Sequence, residues 1–122
     1  MANNYVEPGM TMTWTNGTGS AVVSGQVVRV GNILGVALVD IASTASGSIA
    51  VSGVYKVPKV SSAVIAQGEP LLWDASAAAF DAKAATPATG DVTGPPAVAF
   101  QAAGNGVTTM AVKFTGVPGT VT

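Results

Sequence analysis

Hydrophobic and polar residues alternate along several short stretches of the chain. The clearest stretch is 11–15, where three threonines alternate with Met12 and Trp14. Successive side chains of a strand point to opposite faces of a sheet, so this spacing predicts a half-buried strand. Residues 49–57 and 107–115 also alternate, and 33–41 is a β-branched run long enough for a buried strand. The pattern therefore predicts a protein built from short strands.

Turn-forming residues divide these stretches at regular intervals. Asn16-Gly17 and Gly31-Asn32 predict turns, because Asn and Gly both tolerate a positive φ. Pro58 ends the strand at 49–57, since proline cannot donate a hydrogen bond to a central ladder. Shorter strands are predicted at 21–23, 26–30, 60–66, 71–73 and 97–101. Strands at a spacing of about 8 to 12 residues predict an all-β fold, as a small β-barrel or β-sandwich.

Residues 75–96 differ in composition from the rest of the chain. They are rich in Ala, include Pro87, Pro95 and Pro96, and hold few β-branched residues. We predict one long Ala/Pro-rich surface loop or hairpin excursion here. Residues 1–20 are predicted to form an extended N-terminal arm with the first strand, 21–116 the β domain, and 117–122 a frayed tail.

Charged and reactive side chains are scarce. Only 9% of the 122 residues are charged, against about 25% in an ordinary soluble domain, although 48% are hydrophobic. The chain has no His and no Cys, which excludes a thiolate nucleophile, an imidazole base and a disulfide. Zinc would have to be bound by carboxylates alone, which is not how proteins usually bind it. The sequence therefore predicts no metal site, no cofactor and no enzymatic activity.

The basic residues are few and scattered, at Arg29, Lys56, Lys59, Lys83 and Lys113. They would neutralise few phosphates, so nucleic acid is not an expected partner. No run of about 18 apolar residues occurs, and no membrane-spanning segment is expected. The first residues lack the basic and apolar regions of a secretory signal, so synthesis in the cytoplasm is expected.

Two carboxylates come nearest to a catalytic pair. Asp74 and Asp81 flank part of the Ala-rich segment, and a hydrolase uses two carboxylates several ångströms apart. No polar cluster accompanies them, which favours solvated loop charges. The chain also lacks a phosphate-binding loop and a dinucleotide-binding fingerprint.

Four aromatic residues allow two interpretations. Tyr5, Trp14, Tyr55 and Trp73 would form a platform for a glycan or another surface if their rings were exposed on one face. The alternative is packing in the core or at an interface, because an aromatic side chain combines a large apolar area with a polar tip. Few other large side chains are available to fill a core, which favours packing.

The surface left by this composition consists largely of Ala, Thr, Ser, Gly and Val. These side chains lose little conformational entropy against a partner, and Lys and Glu, which are depleted at interface cores, are scarce. An uncharged sheet protein also risks pairing at exposed strand edges unless the edges are covered. Both features favour a structural or assembly role.

Several short motifs follow one another in an order that resembles a known family. The motifs are Asn4-Tyr-Val-Glu-Pro-Gly9, Thr11-Met-Thr-Trp-Thr15, Ser24-Gly-Gln-Val-Val-Arg-Val-Gly31, Leu34-Gly-Val-Ala37, Val51-Ser-Gly-Val-Tyr-Lys-Val-Pro-Lys59, Ala66-Gln-Gly-Glu-Pro-Leu-Leu-Trp-Asp74 and the closing strand that ends at Phe114. Together they resemble small tailed-phage proteins that act as capsid cement, also called head decoration proteins. The resemblance covers nearly the whole chain.

This resemblance implies a non-enzymatic virion protein that binds the major capsid protein on the outside of an expanded head and stabilises the shell. It also implies a homo-oligomer, with a trimer at three-fold positions preferred and a dimer at two-fold positions left open. We hypothesise that the N-terminal arm adds a strand to an adjacent subunit. The residues expected at a self-interface or capsid interface are Tyr5, Thr11, Thr13, Trp14, Thr15, Tyr55 and Trp73.

Overall fold

The computed structural model describes residues 3–4 and 7–122, and all secondary-structure elements within them are β-strands. The strands are β1 (Thr11–Thr15), β2 (Val27–Val30), β3 (Ile33–Ala37), β4 (Ser46–Ala50), β5 (Gly53–Pro58), β6 (Pro70–Asp74), β7 (Ala79–Asp81), β8 (Val92–Ala99), β9 (Thr109–Phe114) and β10 (Thr120–Val121). The predicted all-β fold is confirmed.

The strands form two antiparallel sheets. The first sheet has the order β1-β4-β3-β2, and the second has the order β5-β9-β8-β6-β7, with β10 also paired to β8. The sheets curl into a half-barrel. In the second sheet the two outer strands approach each other, because Lys59, which follows β5, bridges Phe80 of β7, and Val60 N donates to Phe80 O at 2.9 Å.

The main core lies between the facing sides of the two sheets. Leu34 and Val36 of the first sheet pack in one cluster with Val112 and Phe114 of the second. The ring of Phe80 lies 4.9 Å from that of Trp73 and 6.0 Å from that of Phe114, at spacings where tilted aromatic pairs attract. This core holds the two sheets in a fixed relation.

A second, smaller core lies on the other side of the first sheet. It contains Val22, Val28, Ala37, Ile41, Ile49 and Val51. Val22 and Ile41 exchange two main-chain hydrogen bonds, of 2.9 and 2.7 Å, which fold the chain over this face. Gly47 permits the close packing, since a Cβ there would lie 2.6 Å from Ile41 Cγ1.

The long strand β8 bends in its middle, and its two halves pair with different strands along the same edge. Gly94 has a φ of 102°, and Pro95 and Pro96 follow it without amide donors. Residues 97–99 pair with β9, whereas Val92 and Thr93 pair with β10. Because of the bend, the first part of β8 pairs with β10 instead of β9.

The structure corrects two predictions. For the segment at 75–96, the long loop is wrong and the hairpin alternative holds in part, because the segment contains β7, which pairs antiparallel with β6, and the first half of β8. The tail at 117–122 is not frayed: Thr122 N donates to Asp91 O at 2.9 Å, and Gly119 N donates to Asn32 O at 2.7 Å. Asn32 Nδ2 donates in return to Gly119 O at 3.1 Å. The tail thus joins the second sheet to the β2–β3 turn of the first.

Other boundaries differ in smaller ways. The run at 33–41 ends as a strand at Ala37, and the alternating stretch at 49–57 is split between β4 and β5. Gly53 begins β5 with a φ of 119°, which breaks a continuous strand. The expected strand at 60–66 is reduced to one bridge between Ile65 and Ala103. Residues 11–15 belong to the folded domain, because β1 pairs with β4 along its whole length.

Candidate functional surface

On β1 and the first residues of β4, the sheet face opposite the smaller core is exposed and carries hydroxyl groups and no charge. Thr13 lies opposite Ser48 and Thr15 opposite Ser46, with Thr15 Oγ1 2.8 Å from Ser46 Oγ. All five hydroxyl residues, which we call the hydroxyl patch, are exposed: Thr11, Thr13, Thr15, Ser46 and Ser48. Short hydroxyl side chains cost little entropy when a partner orders them. The patch is suited to contact with another protein.

The free edge of β1 adds main-chain groups to this patch. Met10 O accepts a hydrogen bond from Val51 N at 3.0 Å, and Asn16 N donates to Ala45 O at 2.8 Å. Alternate residues of an antiparallel strand bond to one neighbour, so the even-numbered residues of β1 bond to β4. The N–H and C=O groups of Thr11, Thr13 and Thr15 therefore point away from β4, where the described chain places no further strand.

Among the described outer strands, β1 lacks the usual protection of an edge. Charged side chains, proline or a very short length normally keep an edge from pairing with another chain. Arg29 lies in β2, Lys56 and Pro58 lie in β5, and β7 has three residues and ends in Asp81. The five residues of β1 include no charge and no proline. This edge is open to strand addition.

The predicted aromatic residues do not form one exposed platform. Trp73 is 7% exposed and lies in the main core, and Tyr55 packs edge-on against Phe114 with ring centroids 6.2 Å apart. Trp14 is partly buried against the smaller core, beside Met12. Tyr5 lies outside the described residues. Trp14 and Trp73 do line one groove of about 630 Å³, but most of the Trp73 ring is covered.

The two carboxylates considered for hydrolysis each hold a turn. Asp74 Oδ1 accepts hydrogen bonds from Ser76 Oγ at 2.8 Å and Ala77 N at 3.1 Å. The Ser76 hydroxyl, and then the Ala77 amide, lower the pKa of the Asp74 carboxyl below its usual 3.8. Asp81 Oδ1 accepts a hydrogen bond from Ala82 N at 2.7 Å. Both groups thus accept main-chain hydrogen bonds at strand ends, Asp74 in β6 and Asp81 in β7, and not in a loop as expected.

Sequence reasoning missed three buried polar side chains. Lys59 is 4% exposed, and its Nζ donates to the carbonyl oxygens of Val60 (2.8 Å), Ser61 (3.3 Å) and Val107 (3.1 Å). Asn16 is fully buried and Asp91 is 3% exposed. Each also bonds to a segment distant in sequence: Asn16 Nδ2 donates to Ile41 O at 3.0 Å, and Asp91 Oδ1 accepts from Ala75 N at 3.0 Å. These residues therefore join separate loops.

The described part of the chain offers neither a metal cluster nor a membrane-spanning helix. No group of three or more Asp and Glu side chains is placed to hold a metal ion there. No helix within these residues is long and apolar enough to cross a membrane.

The comparison with known protein families decides the identity. The family model described as "Phage cement protein" matches residues 6–114. The chain belongs to the phage cement protein family. The resemblance seen in the motif order is thereby confirmed, and the family name indicates a structural component of a phage capsid. No curated protein matches the chain.

The most specific motifs of this cement protein are explained by structural roles. Val51–Lys59 supplies β5 and the buried Lys59, and a Cβ at Gly53 would lie 3.3 Å from Cε2 of the Tyr55 ring. Ala66–Asp74 supplies β6, the core ring of Trp73 and the turn acceptor Asp74. The buried members of these motifs specify the fold. Outside these two motifs, the β1 edge is the strongest candidate for a binding surface.

We predict that Lys59→Met destabilises the protein by about 1–3 kcal/mol, because three carbonyl groups lose the ammonium that satisfies them. Lys56→Met is the matched control, since Lys56 is exposed and lies in β5, the strand that directly precedes Lys59. Denaturant unfolding of both variants measures the difference. Equal stability of the two variants would show that the buried ammonium contributes nothing.

A second prediction concerns pH. The pKa of Asp74 is lowered in the folded chain, so its stabilising effect is complete above about pH 4 and is lost as the pH falls through the lowered value. Asp74→Asn should therefore be less stable than the wild type at pH 7, and the gap should close in acid. The pH dependence of the unfolding free energy checks this. Ser76→Ala should also raise the pKa of Asp74, measured by carboxyl NMR titration; a gap that does not change with pH contradicts the role.

Proposed function

We propose that this cement protein binds the outer surface of an expanded phage capsid and stabilises the shell, without enzymatic activity. The observation that carries the proposal is the unprotected β1 edge in a member of the phage cement family. A strand of the major capsid protein adds to this edge, with main-chain hydrogen bonds supplying affinity. The hydroxyl patch then lies against the capsid subunit.

This proposal changes the role of the N-terminal segment. Residues 11–15 accept a strand at their free edge, rather than leaving the subunit as a strand donor, because they are already paired to β4. The residues described before β1, at 3–4 and 7–10, are exposed. They extend from the β1 end and add contact area beside it.

Stabilisation follows from binding preference. A subunit that binds the expanded lattice and not its precursor favours the expanded state by mass action. A symmetric oligomer gains further, because each bound subunit raises the effective concentration of the next. We propose a trimer at three-fold positions as the arrangement, with a dimer at two-fold positions as the alternative.

The test is co-sedimentation with undecorated heads of the phage that encodes the chain, in expanded and unexpanded forms. The wild type should bind expanded heads selectively. Thr13→Pro removes one outward N–H and leaves the β1–β4 ladder intact, since Thr13 does not bond to β4 and proline is tolerated at a strand edge. We expect this variant to lose about tenfold or more in affinity, as the ring also blocks a partner strand.

Thr13→Val is the matched control. It keeps the outward N–H and replaces only the hydroxyl, so it should bind expanded heads more tightly than Thr13→Pro. Wild-type binding that Thr13→Pro leaves unchanged would eliminate strand addition. A wild type that binds neither form of the head would overturn the proposed function itself.

A further inference from the structure

The outer face of β5, β9 and β8 carries two cross-strand rows with a distinct composition. Strand register places Val54, Lys113, Val98 and Pro70 side by side in one row. The second row is Lys56, Ala111 and Phe100, where Phe100 N donates to Ala111 O at 3.1 Å. We call these seven residues the lysine face.

The lysine face is both apolar and accessible. Val54 is 44% exposed and Phe100 is 48% exposed, although both belong to a residue type that is usually buried. Both lysines are exposed, and the remaining three residues are uncharged: Val98, Pro70 and Ala111. Exposed apolar residues grouped on one sheet face indicate an interaction surface.

The two positive charges of this face have no acidic neighbour in their rows. Lys113 lies between Val54 and Val98, and the residue opposite Lys56 is Ala111. Glu69 directly precedes Pro70 of this face, and its two carboxylate oxygens accept from Ala66 N at 3.2 Å and Lys83 N at 2.7 Å. The face therefore suits a partner that brings its own carboxylates.

A second copy of the chain supplies no such acidic surface. Five of its six acidic residues already accept hydrogen bonds from main-chain N–H groups of the same chain: Asp40, Glu69, Asp74, Asp81 and Asp91. Among the described residues, no three carboxylates form a group that could hold a metal ion, so acidic side chains are not concentrated at one place. The complementary surface must belong to a different protein.

We propose that the lysine face is a second capsid contact, which binds an apolar surface of the capsid protein bordered by Asp or Glu side chains. This inference rests on the proposed function, since it names the chemistry of the same partner. The lysine face belongs to the second sheet and the β1 edge to the first, so one subunit contacts two places on the shell. Two linked contacts bind far more tightly than either alone.

The experiment reverses the two charges. Lys56→Glu/Lys113→Glu is compared with Arg29→Glu/Lys83→Glu, which has the same net charge but changes basic residues outside the lysine face. We expect the first variant to bind expanded heads about tenfold or more weakly at low salt, because like charges then meet at the interface. The control variant should keep near-wild-type affinity. The wild-type affinity should fall with added salt, as partly exposed ion pairs are screened.

A second pair of variants tests the apolar residues of the lysine face. Phe100→Ser should weaken capsid binding, whereas Val64→Ser, at a residue 69% exposed in the loop before β6, should not. Circular dichroism and denaturant unfolding check that all four variants fold. Because every substituted side chain is exposed, normal folding is expected.

The outcomes separate the two proposals. If the wild type fails to bind expanded heads, the proposed function is wrong. If the wild type binds, and Lys56→Glu/Lys113→Glu binds equally well with the same salt dependence, the lysine face is wrong and the proposed function stands. A change in oligomer size in Lys56→Glu/Lys113→Glu, measured by analytical ultracentrifugation, would assign the face to self-association and overturn the proposal.

Discussion

Hydrogen bonding at strand edges is the constraint on which this structure depends. A chain with 9% charged residues has few side chains with which to protect its edges, and exposed main-chain groups pair readily with other strands. The second sheet meets the constraint by curling, so that the residues after β5 bond to β7. The end of the chain covers β8 where β9 no longer reaches it. After these closures, β1 is the longest outer strand of the described chain that is left without protection.

Small residues make this closure feasible, because they let main chains approach closely. A Cβ at Gly119 would collide with the Thr93 carbonyl oxygen and with Pro96, so only glycine lets the tail lie against β8. Gly119 then exchanges hydrogen bonds with Asn32 of the first sheet. The tail and the aromatic core thus connect the sheets that carry the two proposed contacts. A rigid connection is what a subunit needs if it is to hold two points of a shell together.

Short-range patterns predicted the strands in which exposed and buried side chains alternate. The threonine alternation predicted β1 with its bounds, and the alternating stretch at 107–115 contains the whole of β9. Long-range pairing was not predictable in the same way. The local sequence of residues 117–122 does not indicate a strand. β10 forms because the bend at Gly94 leaves the first part of β8 free to pair with the tail.

The candidate site was predictable in part for the same reason. The exposed threonines follow from alternation, but the free edge of β1 depends on strand order, which local sequence does not encode. In the sequence, Lys59 is indistinguishable from an ordinary surface lysine. In the structure, its ammonium donates to three carbonyl oxygens from separate positions. Trp73 was correctly allowed a core position, because an aromatic ring in an apolar triplet is most simply buried.

Amide hydrogen exchange, compared between the free chain and the chain bound to expanded heads, tests the central claim most directly. In the free chain the amides of Thr11 and Thr13 should exchange fast, while those of Met12 and Trp14 are protected by β4. On expanded heads the account predicts that the Thr11 and Thr13 amides also become protected. Fast exchange of both amides on fully decorated heads would contradict it.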